Sequence, residues 1–258
     1  TESLGLLYAD HYPYRQMKSG RGVRRSVLHE HLVNRRAVFG EVAGYERANW
    51  FAFNGQRPEY QYDWGRQNWF DNHREEHLAI RENVGLFDMS SFGKIRVEGS
   101  DALNFLQIIC AAQIDVKVGK IVYTQMLNSR GGIESDLTVS RLSESVFLLV
   151  VPCATLQKDL SWLRRHQGKF SVSIIDVSSA EAVLCLMGPN ARGVLRDCSP
   201  NDFSNEEHPF GTLKEIEIGM GVARAHRITY VGELGWEIYI ATDQAAHVFE
   251  EIEQAGIA

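Results

Sequence analysis

The sequence predicts an α+β fold, because strand-like and helical segments follow one another without the regular β-α-β spacing that builds a parallel sheet. Short apolar runs and period-two alternation mark the strands, whereas apolar spacing of three and four residues marks the helices. The 258 residues, 44% of them hydrophobic, are sufficient for one large domain or two small ones with a buried core.

The first third of the chain is expected to be irregular around one helix. Residues 1–26 mix polar and aromatic side chains without a sustained period, so they are predicted to form an extended arm. Residues 53–72 combine Gly, Pro, Asn and aromatic side chains, which is typical of a long surface loop. From His73 the apolar spacing becomes helical, and Gly85 is positioned to cap that helix at its C-terminus.

The remaining elements follow from apolar runs and their periods. Strands are predicted over residues 94–98, 146–151, 172–177, 182–187, 213–218, 223–230 and 236–240. Helices are predicted over 100–112 with Ser100 as N-cap, 156–166, 190–197 with Asn190 as N-cap, and 244–254.

Composition excludes several classes of function. A net charge of -6 argues against a nucleic-acid partner, because phosphate binding needs a dominant basic surface. No run approaches the roughly 20 apolar residues that cross a bilayer, so no membrane association is expected. The four cysteines lack metal-ligand spacing and are predicted to be reduced thiols, which favours a bacterial cytoplasm or a mitochondrial matrix.

The strongest functional signal comes from two glycine-punctuated segments, residues 126–138 and 230–237. The first delivers Asp136 and the second Glu237, each beside apolar residues, so they are expected to share one pocket. Strand periodicity places Glu237 on the same face as Tyr239. A buried carboxylate without donors costs several kcal/mol, so a buried Glu237 would need a ligand or an arginine partner. The residues alone favour an exposed strand glutamate.

Several further segments accompany these two, and all of them follow one another in the same order as in a known family. As a set they resemble the glycine cleavage T-protein family, and within it the folate domain of dimethylglycine and sarcosine dehydrogenases and oxidases. Residues 11–15, 19–22 and 46–51 resemble the connector that follows the flavin domain in the amine-oxidising members. The other matching segments are residues 29–47, 76–81, 85–94 and 187–192.

The resemblance implies a fold of mixed antiparallel sheets with flanking helices. It implies a connector arm at 1–26 after an absent flavin domain, and a tetrahydrofolate-binding domain at 27–258 that lacks its C-terminal part. The expected cofactor is tetrahydrofolate, with FAD only in the absent flavin domain. Neither Gly20-Arg21-Gly22 nor Gly219-Met220-Gly221 has the third glycine of a dinucleotide fingerprint. The expected partners are that flavin domain, folate and a methylated amine.

The resemblance also assigns roles to individual residues. Glu237 would accept the two parallel N–H donors of the pterin edge, and Tyr230 would stack on or hydrogen-bond the ring. Asp136 would stabilise the cation that forms when folate attacks a methylene iminium and would take its proton. Thr138, on the same strand face as Asp136, would be a second contact, and Phe92 would lie near the ring.

Each residue also has a purely structural interpretation. Asp136 can be a turn residue after glycines, whereas Tyr230 and Phe92 can be core walls. Glu233 is interpreted as a structural turn residue. At Ser140 the free-standing T-proteins usually have an aromatic residue, which agrees with the amine-oxidising branch.

The function implied is one-carbon transfer within a flavin-linked oxidoreductase of dimethylglycine or sarcosine. It would capture the iminium or formaldehyde as 5,10-methylene-tetrahydrofolate. One alternative is a non-catalytic regulatory subunit resembling that of pyruvate dehydrogenase phosphatase. Another is a folate-dependent demethylase or aminomethyltransferase of a different methylated compound.

Other catalytic patterns are weak. His73 and His77 with Glu76 fit HxxEH, but no downstream glutamate completes a zinc site, so no metal is predicted. His29-Glu30-His31 is interpreted as a polar loop or helix start. A nucleophile elbow of the GxSxG type is absent from the sequence.

Overall fold

The computed structural model describes residues 2–13 and 15–257. Within these ranges the chain forms twelve strands and seven helices. The helices are α1 (Glu2–Tyr8), α2 (His29–Asn34), α3 (Phe70–Glu82), α4 (Ala102–Ile109), α5 (Leu156–His166), α6 (Ala191–Cys198) and α7 (Ala245–Ile257). The strands are β1 (Ala37–Val42), β2 (Tyr45–Phe51), β3 (Gly85–Asp88), β4 (Gly93–Glu98), β5 (Ile121–Leu127), β6 (Ile133–Arg141), β7 (Val146–Val151), β8 (Ser173–Asp176), β9 (Glu181–Met187), β10 (Leu213–Ile218), β11 (Gly221–His226) and β12 (Gly235–Ala241).

The strands form two five-stranded sheets and one hairpin. The first sheet has the order β10-β11-β12-β9-β3 and the second the order β5-β6-β7-β4-β8, while β1 pairs with β2. Neighbouring strands in all three sheets run antiparallel. Mixed antiparallel sheets with flanking helices confirm the predicted α+β class.

The two large sheets pack face to face and carry helices on their outer faces. On the first sheet, Trp236, Ile238 and Ile240 of β12 pack with Val248 and Phe249 of α7. The outer face of the second sheet packs in the same way on α4 and α5. Between the sheets lies the inter-sheet layer, formed by the buried residues Leu148, Val150, Val183, Cys185, Met187 and Tyr239.

Central strands match the prediction closely. The strands at 146–151 and 213–218 and the helix at 156–166 have the predicted bounds. Alternation explains β12, whose two faces pack on different layers, so that every residue from Gly235 to Ile240 is buried. Gly188 follows β9 with a φ of +134°, and a side chain there would collide with the backbone of Asn83.

The segment 100–112 forms a shorter helix than predicted. The helix α4 ends at Ile109 because Cys110 bridges to Met126 and the amide of Ala111 donates to the carbonyl of Gln125. Pairing with β5 therefore competes successfully with helix continuation. The N-cap position is occupied by Asp101 rather than Ser100, without a side-chain capping bond.

Two other expectations about elements are wrong, and a third, the N-cap of α6, is confirmed in position. Residues 2–8 form α1 rather than extended chain, and the Glu2 carboxylate accepts hydrogen bonds from the amides of Lys18 and Ser19. The strand predicted at 223–230 ends at His226, where the amide of Ile228 donates to the carbonyl of His226 at 2.9 Å and the chain leaves the ladder. Asn190 is at the N-cap of α6, but its side chain donates to Asn83 instead of capping.

Candidate functional site

A cavity of about 420 Å³ opens beside the inter-sheet layer. The hairpin β1–β2, the turn between β3 and β4, the loop after β7, strand β9 and the segment 230–237 all contribute to its wall. Among the described residues that line it, Arg47 is the only basic one and Glu237 the only acidic one. The lining residues are Val42, Arg47, Phe87, Met89, Ser91, Phe92, Pro152, Cys153, Ala154, Cys185, Met187, Tyr230, Val231 and Glu237.

Glu237 lines this cavity and is 7% exposed, and we call this buried part of the wall the closed end. Its Oε2 accepts a hydrogen bond of 2.7 Å from the hydroxyl of Tyr239, two residues along the same strand face. Burial raises the pKa of the Glu237 carboxyl above its usual range, and the Tyr239 hydrogen bond partly offsets that shift. The protein partner of the buried carboxylate is therefore a tyrosine hydroxyl rather than an arginine.

Tyr230 and Phe92 line the same cavity as Glu237. Tyr230 is 90% exposed and lies in the loop before β12, so it is not a core wall residue. Phe92 is half-buried in a tight turn, where its amide donates to the carbonyl of Met89 at 3.0 Å. An exposed aromatic ring on one side and a partly buried ring on the other can both contact a flat ligand.

Asp136 and Thr138 do not line the cavity. Both are on β6, where Thr138 pairs with Val150 of the inter-sheet layer, so the two polar residues share the face that points toward the first sheet. Asp136 is exposed, and its Oδ1 lies 3.4 Å from the Nε2 of Gln125. The structure thus places Asp136 beyond the apolar interior.

Tyr123 lies between the polar residues of β6, Asp136 and Thr138, and Tyr230 of the cavity wall. It pairs with Thr138 across β5 and β6, and it is largely exposed. A hydrogen bond to Asp136 raises the pKa of the Tyr123 hydroxyl, and the nearby hydroxyl of Tyr230 adds to that shift. Asp136, Tyr123 and Tyr230 are therefore neighbours, and we call this group the rim of the cavity.

Sequence reasoning missed three residues of this region. Tyr239 has a signal in the period-two alternation that places it beside Glu237. The position of Tyr123 opposite Thr138 depends on the register of β5 and β6, which the sequence does not specify. Arg47 lies in segments that carry the resemblance, but the resemblance assigns it no role and the hairpin that carries it was not predicted.

The weaker motifs have ordinary structural roles. The Nε2 of His73 lies 3.1 Å from the carbonyl oxygen of Asn49, and the Nδ1 of His77 lies 2.6 Å from the carbonyl oxygen of His73. Across residues 2–13 and 15–257, no three His, Cys, Asp or Glu side chains converge as a metal site. Glu233 pairs with Arg81 of α3 at 2.5 Å.

The described chain has another cavity of similar size. A second cavity, of about 490 Å³, is lined by Arg21, Arg25, His29 and Glu46, and it contains none of the predicted site residues. In the part of the chain that the structure describes, no helix is long and apolar enough to cross a membrane.

The chain is an α+β domain in which two antiparallel sheets pack together beside a ligand-sized cavity. Its family is shown by the sequence. The model of the GCVT N-terminal domain family matches residues 28–258, so the chain belongs to that family. The aminomethyltransferase T of the glycine cleavage system from Bartonella henselae superimposes with a TM-score of 0.73 and 28% identity, covering 90% of this chain and 57% of that one.

Two curated relatives match almost the whole chain. A 4-methylaminobutanoate oxidase (formaldehyde-forming) from Paenarthrobacter nicotinovorans is 45% identical over 255 residues, which is 99% of this chain. A mitochondrial dimethylglycine dehydrogenase from Rattus norvegicus is 33% identical over 257 residues, again 99% of the chain. The chain spans 31% and 30% of the lengths of these two relatives. It is an aminomethyltransferase-like domain of the kind present in such enzymes.

Proposed function

We propose that this chain binds tetrahydrofolate and transfers a one-carbon unit to it within a flavin-linked oxidoreductase of N-methylated amines. The observation that carries the proposal is Glu237, a buried carboxylate at the closed end of a mainly apolar cavity. Tyr239 donates to one of its oxygens, which leaves acceptor positions for a ligand. A pterin edge presents two parallel N–H donors that match such an acceptor.

The rest of the site fits a flat ring that lies in the cavity with its reactive edge at the rim. Phe92 and Tyr230 offer ring surfaces, while Thr138 and Asp136 extend the polar face of β6 at the rim. Tetrahydrofolate supplies the two nitrogens that accept the one-carbon unit. The proton released when the first nitrogen attacks a methylene iminium needs a base, which is the role we assign to Asp136.

The reaction balances without a further oxidant in this domain. From an iminium, ring closure by the second folate nitrogen expels the amine and yields 5,10-methylene-tetrahydrofolate. From formaldehyde, the same product forms with loss of water.

We infer that residues 1–26 are the connector from a flavin domain, that FAD is bound outside this chain, and that residues 27–258 carry the folate site.

The donors proposed are dimethylglycine, sarcosine or a related N-methylated amino acid. Two relatives carry the names dimethylglycine dehydrogenase and 4-methylaminobutanoate oxidase, and both of these compounds combine a methylated amine with a carboxylate. This shared chemistry supports a methylated amino acid as the source of the one-carbon unit.

Blocking the cavity tests the proposal. Ala154 is exposed at the cavity wall, so Ala154→Trp is expected to fill ligand space without disturbing the core. Isothermal titration should show tetrahydrofolate binding by the wild-type protein and at least about a tenfold weaker affinity for this variant. Ala111→Trp, at an exposed position away from the cavity, is the matched control and should bind normally. Absence of binding by the wild-type protein, or equal binding by both variants, would contradict the proposed site.

A further inference from the structure

The cavity contains one positive charge that the proposed pterin contacts leave unused. Arg47 lies on β2, is half-buried, and lines the same cavity as Glu237. Its guanidinium makes no hydrogen bond or ion pair with another residue in the described ranges 2–13 and 15–257. A guanidinium has five N–H donors, so this position offers a set of unoccupied donors toward the cavity.

The acids nearest to Arg47 along the strand or in the cavity have other partners. Glu46 is its neighbour on β2 and therefore points to the opposite face, where it is buried and accepts hydrogen bonds from Arg21 and the amide of Gly22. Glu237 has the hydroxyl of Tyr239 as its partner, and no hydrogen bond or ion pair joins it to Arg47 within the described ranges. The two charged lining residues are therefore separate points in one cavity.

The position of Arg47 is set by the hairpin. β1 and β2 turn through Ala43 and Gly44, both at positive φ, and the thiol of Cys153 donates to the carbonyl of Val42 at 3.9 Å. This contact joins the hairpin to the loop after β7, which is another part of the cavity wall. The guanidinium is thus held on the wall by strand pairing and by a contact across the cavity edge.

A half-buried cation beside apolar walls has lost part of its hydration. An anion that binds to it replaces the lost water contacts with charged hydrogen bonds and so stabilises it. The planar guanidinium matches a carboxylate with two parallel hydrogen bonds, which is a geometry that lysine does not reproduce. We propose that Arg47 is a carboxylate-binding subsite of this cavity, separate from the Glu237 end. This inference rests on the proposed function, because that function brings carboxylate-bearing ligands to the cavity.

Two ligands of the proposed reaction carry a carboxylate. One is the glutamyl tail of tetrahydrofolate, and the other is the methylated amino acid that donates the one-carbon unit. Binding of the first would make Arg47 part of the folate site, whereas binding of the second would hold the donor beside the folate. Three ligands separate these cases: tetrahydrofolate, 6-methyltetrahydropterin without a tail, and dimethylglycine added to protein saturated with that pterin.

The variants are Arg47→Gln, which removes the charge, and Arg47→Lys, which keeps it without the planar fork. Arg74→Gln, at an exposed position on α3, is the control for the loss of one surface arginine. Each protein is titrated calorimetrically with the three ligands. If the tail binds, Arg47→Gln weakens tetrahydrofolate on the order of tenfold or more and leaves the pterin unchanged. If the donor binds, only dimethylglycine weakens by that factor.

In both cases Arg47→Lys should recover part of the lost affinity, and Arg74→Gln should behave as the wild-type protein. The inference is overturned when tetrahydrofolate binds Arg47→Gln as tightly as the wild-type protein and dimethylglycine shows no dependence on residue 47. A wild-type protein that binds neither pterin would contradict the proposed function instead. Titration with dimethylglycine alone would then decide the role of Arg47.

Discussion

The closed end of the cavity and its rim are built in opposite ways. At the closed end, Glu237 and Tyr239 are buried on a central strand that pairs on both sides. At the rim, Asp136, Tyr123 and Tyr230 are exposed. The carboxylate of Glu237 is held by one hydrogen bond in a desolvated position, whereas that of Asp136 is accessible to solvent and to ligands.

In the proposed function, this difference separates ligand binding at Glu237 from proton transfer at Asp136. A desolvated acceptor that is already oriented loses little entropy on binding and discriminates strongly for ligand donors. An exposed carboxylate binds weakly, but it can exchange protons with a ligand and with water. We therefore expect substitutions at the closed end to change affinity and substitutions at the rim to change turnover.

The largest effect is expected at the rim. Asp136→Asn keeps the shape of the side chain but removes the charge and the base. In the proposed parent enzyme, which includes the flavin domain, the yield of methylene-tetrahydrofolate should fall on the order of a hundredfold, while amine oxidation continues and free formaldehyde rises. Product analysis with calorimetry checks both properties, and Asp197→Asn, an exposed aspartate on α6, is the control. Normal conversion by Asp136→Asn would return this residue to a structural role.

The next largest effect is expected at the closed end. Glu237→Gln should weaken tetrahydrofolate by about 1.5 to 3 kcal/mol, since a charged acceptor is replaced by a neutral one. Isothermal titration measures this change. Glu215→Gln, an exposed glutamate on β10, should leave affinity unchanged. Full affinity in a folded Glu237→Gln protein would remove Glu237 from the site.

A smaller effect with a distinctive pH dependence is expected for Tyr239→Phe. Loss of one hydrogen bond should cost about 1 kcal/mol of affinity at neutral pH. The Tyr239 hydroxyl lowers the pKa of Glu237, so its removal raises that pKa further. In the proposed contact the pterin donors need the ionised carboxylate, so the affinity of the variant should begin to fall at a higher pH as the solution is acidified. Titrations at several pH values test this, and a parallel pH profile would contradict the positioning role.

The smallest effect on stability is expected for Tyr123→Phe. Its hydroxyl lies at the exposed rim, so the midpoint of thermal unfolding should not change. Tyr239→Phe leaves a buried acceptor with one partner fewer and should lower the midpoint measurably. Calorimetric scans of both variants compare the two regions directly, and equal shifts would show that the rim is not as open as its exposure indicates.

The central elements were predictable because local pattern and burial agree there. β7 and β10 are short apolar or alternating runs, and α5 has a clear helical period. The hairpin β1–β2 was not predicted, because Glu46 and Arg47 interrupt its apolar pattern. The ion pair between Arg21 and Glu46 joins this hairpin to a residue distant in sequence.

The sequence by itself determined the α+β class, most core strands and the resemblance that marks Asp136, Thr138, Tyr230, Glu237 and Phe92. These follow from residue types at fixed spacing, which are local properties of the chain. Only the tertiary structure decided that Phe92, Tyr230 and Glu237 share one cavity while Asp136 lies at its rim. It alone brought Arg47 to the same wall and gave Glu237 a tyrosine partner. Burial and hydrogen-bond partners depend on how sheets and loops pack, and spacing along the chain does not encode them.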